Sequence, residues 1–407
     1  MRTLGEVNYL EKYDVIIVGG GPGGATAAYN LAKAGISVCI IDKNAFPRDK
    51  VCGGGLCAHI RKFDYVDDIF FKTVSTSAVV YSPSQKHIID YSPGKDLIYQ
   101  VNRLDFDDHL IMLAKAQGAV VFEKQKVETI ERIKGGIIVE TKNMKFKGKV
   151  AIGAGGVFCP LSKFVGVTKN SSAFCMVEEI PLSAKEIVDR YTEERKSVLF
   201  FLENITGGYG WIFPKKESVN IGVGTYSNIM KEHGALKAYH SYHKTLKQLG
   251  YLPENHEPQN IKGAMLPFGG IRDKIVIDNV LLVGDSAGFV SPISGEGIYY
   301  AMDSGRIAAE VIIDSMRDDD FREAKLKKYY DICLNEWGED IQLLNKYHKL
   351  LVNNSERSLR YAEHDEDFLD LIGGLMLMEE KPTEVKYELI KKMISCFFRI
   401  DILKVKN

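Results

Sequence analysis

Three glycines, Gly19, Gly21 and Gly24, form a G-x-G-x-x-G pattern after an apolar run, and Asp42 follows the next apolar run. The first glycine permits a tight turn, the second lets the backbone approach a pyrophosphate, and the third lets a helix pack closely on a strand. A helix N-terminus favours the phosphate anion, and Asp42 can accept hydrogen bonds from ribose hydroxyls. The pattern predicts the adenosine end of a dinucleotide site; a merely tight turn is the alternative.

A second glycine-rich turn lies in VLLVGDSAGFVSPISGEGIYYAM. Asp285, directly after a predicted strand, can bind a ribityl hydroxyl. A helix beginning near Gly297 and Ile298 can point N–H groups at the pyrimidine edge of a reduced flavin. A plain turn is again the alternative. Because no second G-x-G-x-x-G precedes a helix, flavin fits better than nicotinamide, and the predicted cofactor is FAD.

Aromatic residues alternate in YGWIFPK, so that Tyr209, Trp211 and Phe213 would stand on one face of a strand. Such a face is either ordinary sheet core or one wall of a cavity for an extended apolar or aromatic substrate. The sequence leaves both interpretations open.

Two further side chains stand where chemistry could occur. Cys52 lies in DKVCGGGLC, a loop whose backbone could approach a flavin, and a helix predicted from about Leu56 could lower the pKa of its thiol. Arg103 precedes another predicted helix and could reach cofactor or phosphate oxygens. A buried inert cysteine and a solvated or salt-bridged arginine are the alternatives.

The elements that must position these residues follow from apolar periodicity. Strands over residues 14–18 and 37–41 flank a helix over 23–34, a βαβ unit, and an amphipathic helix is predicted over 106–117. The predicted fold is α/β, a Rossmann-like FAD-binding domain with an inserted antiparallel-sheet substrate domain and a helical C-terminal region. The predicted FAD-binding domain is discontinuous (1–75, 100–170 and 270–330). The substrate domain takes 76–99 and 171–269, and the helical region takes 331–407.

Composition excludes several classes of function. The formal net charge of −1 gives no basic field, which argues against a nucleic-acid partner. The seven cysteines form no CxxC pair and have no histidine at ligand spacing, so neither a metal site nor a disulfide framework is predicted. Without a secretory signal or an apolar run of roughly 18 residues, we expect a cytoplasmic protein whose membrane contact, if any, is peripheral and on the inner face.

Five motifs, GGGPGGATAA, KVCGGGL, NRLDFDDHL, YGWIFPK and GDSAGFVSPISGEGIYYAM, run in this order through nearly the whole chain. Together they resemble the geranylgeranyl reductase family, within the flavoproteins related to p-hydroxybenzoate hydroxylase. The resemblance implies an FAD-dependent oxidoreductase that saturates isolated double bonds of geranylgeranyl chains in ether lipids, chlorophyll precursors or prenylated quinones. The chain departs from the family pattern at Thr206, usually proline, and at Ala154, Gly155 and Gly156, where related flavoproteins often carry an aspartate.

By that resemblance, FAD would be held by Gly24, Asp42, Cys52, Gly53, Gly55, Arg103, Val127, Asp285, Gly297 and Ile298. The prenyl cavity would be lined by Tyr209, Trp211, Phe213 and Pro214. Cys52 is the candidate catalytic group near the reacting carbons. The partners would be a polyprenyl substrate and an external electron donor, with ferredoxin, NAD(P)H and deazaflavin all open.

Two other functions compete with this interpretation. A flavin-dependent monooxygenase or halogenase would share the FAD architecture, although KVCGGGL favours the reductase and no lysine is assignable as a halogenating residue. A non-enzymatic flavin- or lipid-binding module is the third possibility.

The C-terminal residues 386–407 predict an amphipathic helix that could rest on an anionic membrane or dock on the protein's own core. Its apolar positions are Ile390, Met393, Ile394 and Phe397, and its basic neighbours are Lys391, Lys392, Arg399, Lys404 and Lys406.

Overall fold

The computed structural model describes residues 9–168, 171–191, 197–202, 205–352 and 354–404. The first strands are β1 (Tyr9–Lys12), β2 (Val15–Val18), β3 (Val38–Ile41), β4 (Gly55–Cys57), β5 (Thr73–Ser75), β6 (Ser77–Tyr81), β7 (Ile88–Tyr91), β8 (Ile98–Gln100), β9 (Val120–Phe122) and β10 (Val127–Ile133). The remaining strands are β11 (Gly136–Thr141), β12 (Met144–Gly148), β13 (Val150–Gly153), β14 (Ser172–Pro181), β15 (Ser197–Leu202), β16 (Tyr209–Pro214), β17 (Ser218–Tyr226), β18 (Lys262–Pro267), β19 (Val276–Ile277) and β20 (Val280–Leu282).

The α-helices are α1 (Pro22–Lys33), α2 (Arg103–Ala116), α3 (Pro160–Val165), α4 (Ala184–Tyr191), α5 (Ser227–His233), α6 (Ala235–Gln248), α7 (Ile298–Asp318), α8 (Glu323–Cys333), α9 (Glu339–Val352), α10 (Ser355–Ala362), α11 (Glu366–Met376) and α12 (Pro382–Lys404). Within the described ranges, no helix is both long enough and apolar enough to cross a bilayer.

A six-stranded sheet in the order β19-β20-β13-β2-β3-β9 forms the nucleotide-binding layer. Its strands are parallel except β19, which pairs antiparallel with β20. The central strands read VIIV, VCII and VAIG and are buried throughout, as expected of a parallel sheet covered on both faces. The glycine-rich helix α1 packs closely against α7. The predicted βαβ unit is therefore confirmed as β2–α1–β3.

A seven-stranded sheet in the order β18-β14-β17-β16-β15-β6-β7 forms the second layer. It differs from a purely antiparallel sheet at one place, because β15 runs parallel to β6. One face packs against α6 around Tyr239 and Tyr242. The other face, with Trp211 and Phe200, packs against the C-terminal helices. Two smaller sheets, β1-β12-β11-β10 and β4-β8-β5, flank these layers.

The α/β fold with a helical C-terminal region is confirmed, but two local predictions need correction. No α-helix begins at Leu56: residues 55–57 form β4, which pairs with β8, and a 3₁₀ turn follows over Ala58–Lys62. The helix predicted over 106–117 begins earlier, at Arg103. The domain boundaries stay a proposal, supported by the placement of β6 and β7 in the same sheet as β14–β18.

Candidate cofactor and substrate site

The turn between β2 and α1 brings two glycines into contact. A Cβ atom added at Gly24 would lie 2.0 Å from the Gly19 carbonyl oxygen, so no side chain fits there. A Cβ atom at Gly21 would meet only the Arg48 guanidinium, at 3.6 Å. Gly21 is the N-cap of α1, and no side chain caps the helix. The turn therefore leaves open space in front of a helix N-terminus, the arrangement that suits a pyrophosphate.

Asp42 lies at the end of β3, beside this turn. Its carboxylate accepts hydrogen bonds from the N–H groups of Gly20 and Asn44, both at 2.8 Å. These bonds fix the carboxylate against the glycine turn and leave lone pairs for a ligand hydroxyl. Val127 begins β10 and is buried in the core around the nucleotide-binding sheet.

The loop around Cys52 lies directly on the aromatic strand. A Cβ atom at Gly53 would lie 3.0 Å from the ring of Phe213, and one at Gly55 would lie 2.9 Å from it. Gly54 has a φ of +77° and faces the Val101 carbonyl oxygen. The Cys52 sulfur accepts a hydrogen bond from the Gly54 N–H at 3.4 Å. The strand β4 follows this loop, so the α-helix that was predicted to begin beside Cys52 is not there.

Arg103 is fixed beside Cys52 by a buried ion pair. Its Nε and Nη2 atoms donate to the two oxygens of Asp107, at 2.7 and 2.8 Å. Asp107 is fully buried and also pairs with Arg48 at 3.1 Å. Arg103 also lies close enough to Cys52 for the two side chains to interact electrostatically. Arg103 is thus the salt-bridged arginine that the sequence left open, and it places a fixed positive charge at the cofactor loop.

The second glycine-rich turn places Asp285 at the N-terminus of α7. A Cβ atom at Gly297, the N-cap, would lie 3.3 Å from Asp285 Oδ1, and α7 begins at Ile298 as predicted. None of the described residues donates a hydrogen bond to the Asp285 carboxylate. Burial raises the pKa of Asp285, and the charges of Lys50, Arg103 and Arg272 oppose that rise. A half-buried carboxylate without a protein donor suits a ligand hydroxyl.

Glu296, which was not among the predicted site residues, lies between Asp285 and Gly297 in the chain. Its carboxylate accepts the N–H of Tyr299 at 2.9 Å, in the first turn of α7. Burial raises the pKa of Glu296 to about 7, although the N–H groups of Tyr299 and Ile298 lower it. The only available signal was its place between Gly295 and Gly297, and nothing in the sequence indicated that the side chain is half-buried.

The aromatic strand β16 contacts a cavity with some of its residues and the Cys52 loop and the sheet core with others. Tyr209 and Trp211 line a cavity, and the Tyr209 hydroxyl donates to the carbonyl oxygen of Ser294 at 2.5 Å. Burial raises the pKa of Tyr209, so the phenol is neutral. Phe213 covers the Cys52 loop, and Pro214 is buried opposite Val219 in the sheet. Part of the strand is therefore cavity wall and part is core.

The cavity lies between this sheet and helices α9–α11 and measures about 1320 Å³ including its mouth. One end reaches Ser294 and Gly295, next to the N-terminus of α7. Its apolar lining includes Ala78, Val80, Ile89, Phe200, Leu202, Leu266, Leu359, Ile372, Leu375 and Met376. The lining from α10 and α11 was not predicted from the sequence.

The open glycine turn, the Asp42 carboxylate, the Asp285 carboxylate without a protein donor and the start of α7 fit the adenosine and flavin ends of FAD. The chain matches the FAD binding domain family over residues 12–334 and belongs to that family. FAD is its cofactor, and the protein is an FAD-dependent oxidoreductase.

Within that class, the chain belongs to the geranylgeranyl reductase family. It is 31% identical to digeranylgeranylglycerophospholipid reductase of Methanocaldococcus jannaschii, over 95% of this chain and 99% of that protein. It is 32% identical to geranylgeranyl diphosphate reductase of Rhodobacter capsulatus, over 88% and 89% of the two chains.

Solved structures show the shared fold. A geranylgeranyl bacteriochlorophyll reductase-like protein of Thermoplasma acidophilum has a TM-score of 0.79 at 24% identity, over 94% of this chain and 100% of that one. Flavin-dependent halogenases share the fold at 18–22% identity.

Proposed function

We propose that this chain reduces isolated C=C double bonds of geranylgeranyl chains in a lipid or another prenylated compound. The observation that carries the proposal is the apolar cavity whose wall, Tyr209 and Trp211, adjoins the Cys52 loop and the start of α7. Its relatives are named for reductions of geranylgeranyl compounds with different head groups, so the shared substrate feature is the prenyl chain.

The chemistry requires a hydride on one alkene carbon and a proton on the other. Bound FAD in its reduced form supplies the hydride. An isolated alkene offers no carbonyl to polarise, so the chain must act by apolar packing, by excluding water and by positioning. Trp211 and Phe200 provide the packing surface, and the neutral Tyr209 is fixed by its bond to Ser294. Cys52 is our candidate for the proton donor, since its thiol lies in the loop that contacts this wall.

Reloading the flavin needs an external reductant, and we propose that it belongs to one of three classes: ferredoxin, a reduced nicotinamide or a deazaflavin. Two electrons enter for each double bond that is saturated.

A halogenase, one form of the rival function, would require a catalytic lysine at the substrate cavity. Among the described residues that line the cavity, none is a lysine. Lys215, close to Gly54, is engaged by Glu179 and Asn102. These contacts favour the reductase.

The test is anaerobic. Dithionite-reduced protein is mixed with geranylgeranyl lipids while flavin absorbance and product mass are followed. We expect flavin reoxidation and product mass rising in steps of two hydrogens. A flavin that stays reduced until oxygen is admitted, with oxygen or halogen then entering the product, would overturn the proposal in favour of the rival.

Two variants sharpen the same assay. Ile372→Trp fills part of the cavity and is expected to raise KM by roughly tenfold, because buried area for the prenyl chain is lost. Leu236→Trp, on the exposed side of α6, is the matched control.

Cys52→Ala should lower turnover with FAD still bound; unchanged turnover would remove Cys52 from the mechanism.

We also propose a cytoplasmic location with peripheral contact to the inner membrane face through α12. This helix uses Leu389, Met393 and Cys396 to pack on the core, whereas Ile390 and Ile394 are 37% and 52% exposed. Tyr387 and Lys391 lie on the same exposed side. One face of α12 therefore packs on the core, while another face of the same helix exposes apolar side chains. The side chains of Phe397, Arg399 and Lys404, and the whole of Lys406, lie outside the described residues.

The double variant Ile390→Glu/Ile394→Glu is expected to weaken binding to anionic liposomes by roughly tenfold, because two apolar contacts are replaced by repelled charges. Co-sedimentation with phosphatidylglycerol vesicles measures the bound fraction. Leu236→Glu/Leu249→Glu is the control, since these leucines are 55% and 40% exposed elsewhere on the surface. Equal binding of both double variants and the unchanged chain would exclude a role for α12.

A further inference from the structure

A polar network joins the substrate wall to the cofactor loop, and its buried centre is Asn220. This residue on β17 is 2% exposed and lies opposite Glu179 on β14 and Phe213 on β16. The indole N–H of Trp211 donates to Asn220 Oδ1 at 2.9 Å. Asn220 Nδ2 donates to the Cys52 carbonyl oxygen at 3.2 Å and to Glu179 at 2.7 Å. All polar atoms of one amide side chain are therefore used.

The orientation of this amide follows from its partners. Trp211 can only donate through its indole, whereas the Cys52 carbonyl and the Glu179 carboxylate can only accept. The oxygen of Asn220 must therefore face Trp211, and its NH₂ group must face Cys52 and Glu179. A residue without both an acceptor and two donors cannot hold the three groups together.

The rest of the network fixes Glu179. Lys215, which is 4% exposed, donates to Glu179 at 2.9 Å and to Asn102 Oδ1 at 3.1 Å. Ser218 donates to the other carboxylate oxygen at 2.5 Å. The Glu179 side chain is 41% exposed, so the network extends from the buried Asn220 to the surface. A network whose polar groups are satisfied defines one arrangement of its members. Asn102 directly precedes α2, so the network also reaches the helix that carries Arg103.

We infer that Asn220 is a positioning residue that sets the Cys52 loop against Trp211. The prenyl chain packs on one side of Trp211, which lines the cavity. The Cys52 loop contacts the same indole, because a Cβ atom added at Gly53 would lie only 3.2 Å from Trp211 Nε1. Asn220 touches neither the cavity nor the glycine turn. It acts through the Cys52 backbone and the Trp211 indole, and the part of this inference that concerns turnover rests on the proposed function.

The first readout is independent of catalysis. In the FAD-loaded chain, alkylation of Cys52 by iodoacetamide is followed by peptide mass mapping. Asn220→Leu keeps a similar volume but removes every hydrogen bond, so the loop opens more often and the alkylation rate should rise by roughly tenfold. Trp211→Phe removes only the indole donor, so it should raise the alkylation rate of Cys52 by a smaller factor. This variant replaces Asn220→Leu in the test if Asn220→Leu does not fold.

Tyr239→Phe is the matched control. The buried Tyr239 hydroxyl donates to Glu178 on the opposite face of β14, so this variant loses one buried hydrogen bond of the same sheet without touching the loop. We expect Cys52 to react in it as in the unchanged chain. A rate in Asn220→Leu and Trp211→Phe within twofold of the unchanged chain, or an equal rise in Tyr239→Phe, would overturn the inference.

The second readout is turnover with geranylgeranyl lipids. Misplacement by about 1 Å can cost on the order of 100-fold in rate, so kcat of Asn220→Leu should fall roughly 10- to 100-fold while KM changes little. A rise in KM with unchanged kcat would instead make Asn220 part of the binding wall and overturn the positioning role. If the unchanged chain does not reduce these lipids, the proposed function fails, and the alkylation rates still decide the role of Asn220.

Discussion

Gly21→Ala is expected to prevent FAD binding while leaving the FAD-free chain folded. The added methyl group meets only the flexible end of Arg48, at 3.6 Å, so the protein itself accommodates it. It would occupy the open space at the N-terminus of α1, where the pyrophosphate must approach the backbone. We expect the dissociation constant for FAD to rise by at least about 100-fold, or about 2.7 kcal/mol. Fluorescence titration with FAD measures it directly.

The control separates loss of cofactor from loss of fold. Alanine at a helix N-cap costs about 1 kcal/mol or less relative to glycine, so thermal unfolding of FAD-free Gly21→Ala should change little. Gly24→Ala, whose methyl group would lie 2.0 Å from the Gly19 carbonyl oxygen, should destabilise the FAD-free chain as well. FAD binding to Gly21→Ala with the original affinity would show that this turn does not hold the pyrophosphate.

The part of the site that could be predicted from the sequence is the part fixed by local backbone geometry. Gly19, Gly24 and Asp42 lie within a few residues of strand ends, and Gly297 directly precedes α7. At such positions residue type and spacing determine what the backbone can do, so motif and structure agree.

The sequence-based predictions failed where contacts between distant parts of the chain determine the local structure. Residues from Leu56 form β4 instead of a helix because β8, more than 40 positions later in the chain, supplies the pairing partner. Leu359 and Ile372 line the cavity, yet apolar periodicity on a helix is the same whether the face meets a core or a cavity. Asn220 lies in none of the five motifs, and Glu296 lies in the second glycine-rich motif without being singled out by it, so only their contacts in the folded chain indicate a role.

Glu296→Gln is expected to stabilise the FAD-free chain above neutral pH. Burial raises the pKa of Glu296 from 4.5 to about 7, while the N–H groups of Tyr299 and Ile298 and the charge of Arg103 work against that rise. The folded chain therefore binds a proton that the unfolded chain releases between these pH values, and stability is lost as the pH rises from about 4.5 to 7. The loss amounts to up to about 3 kcal/mol at pH 8.

Glutamine keeps an oxygen for the Tyr299 N–H but cannot ionise, so it removes this pH dependence. We expect equal free energies of unfolding for the two chains below pH 4.5, a growing advantage of Glu296→Gln up to pH 7 and a plateau above it. Urea unfolding of both FAD-free chains between pH 4 and 8 measures the difference. Glu310→Gln removes an exposed carboxylate from α7, the helix that follows Glu296, and controls for the loss of a negative charge. A difference between the chains that does not vary with pH would mean that folding leaves the pKa of Glu296 unchanged, so that the start of α7 carries a negative charge at neutral pH.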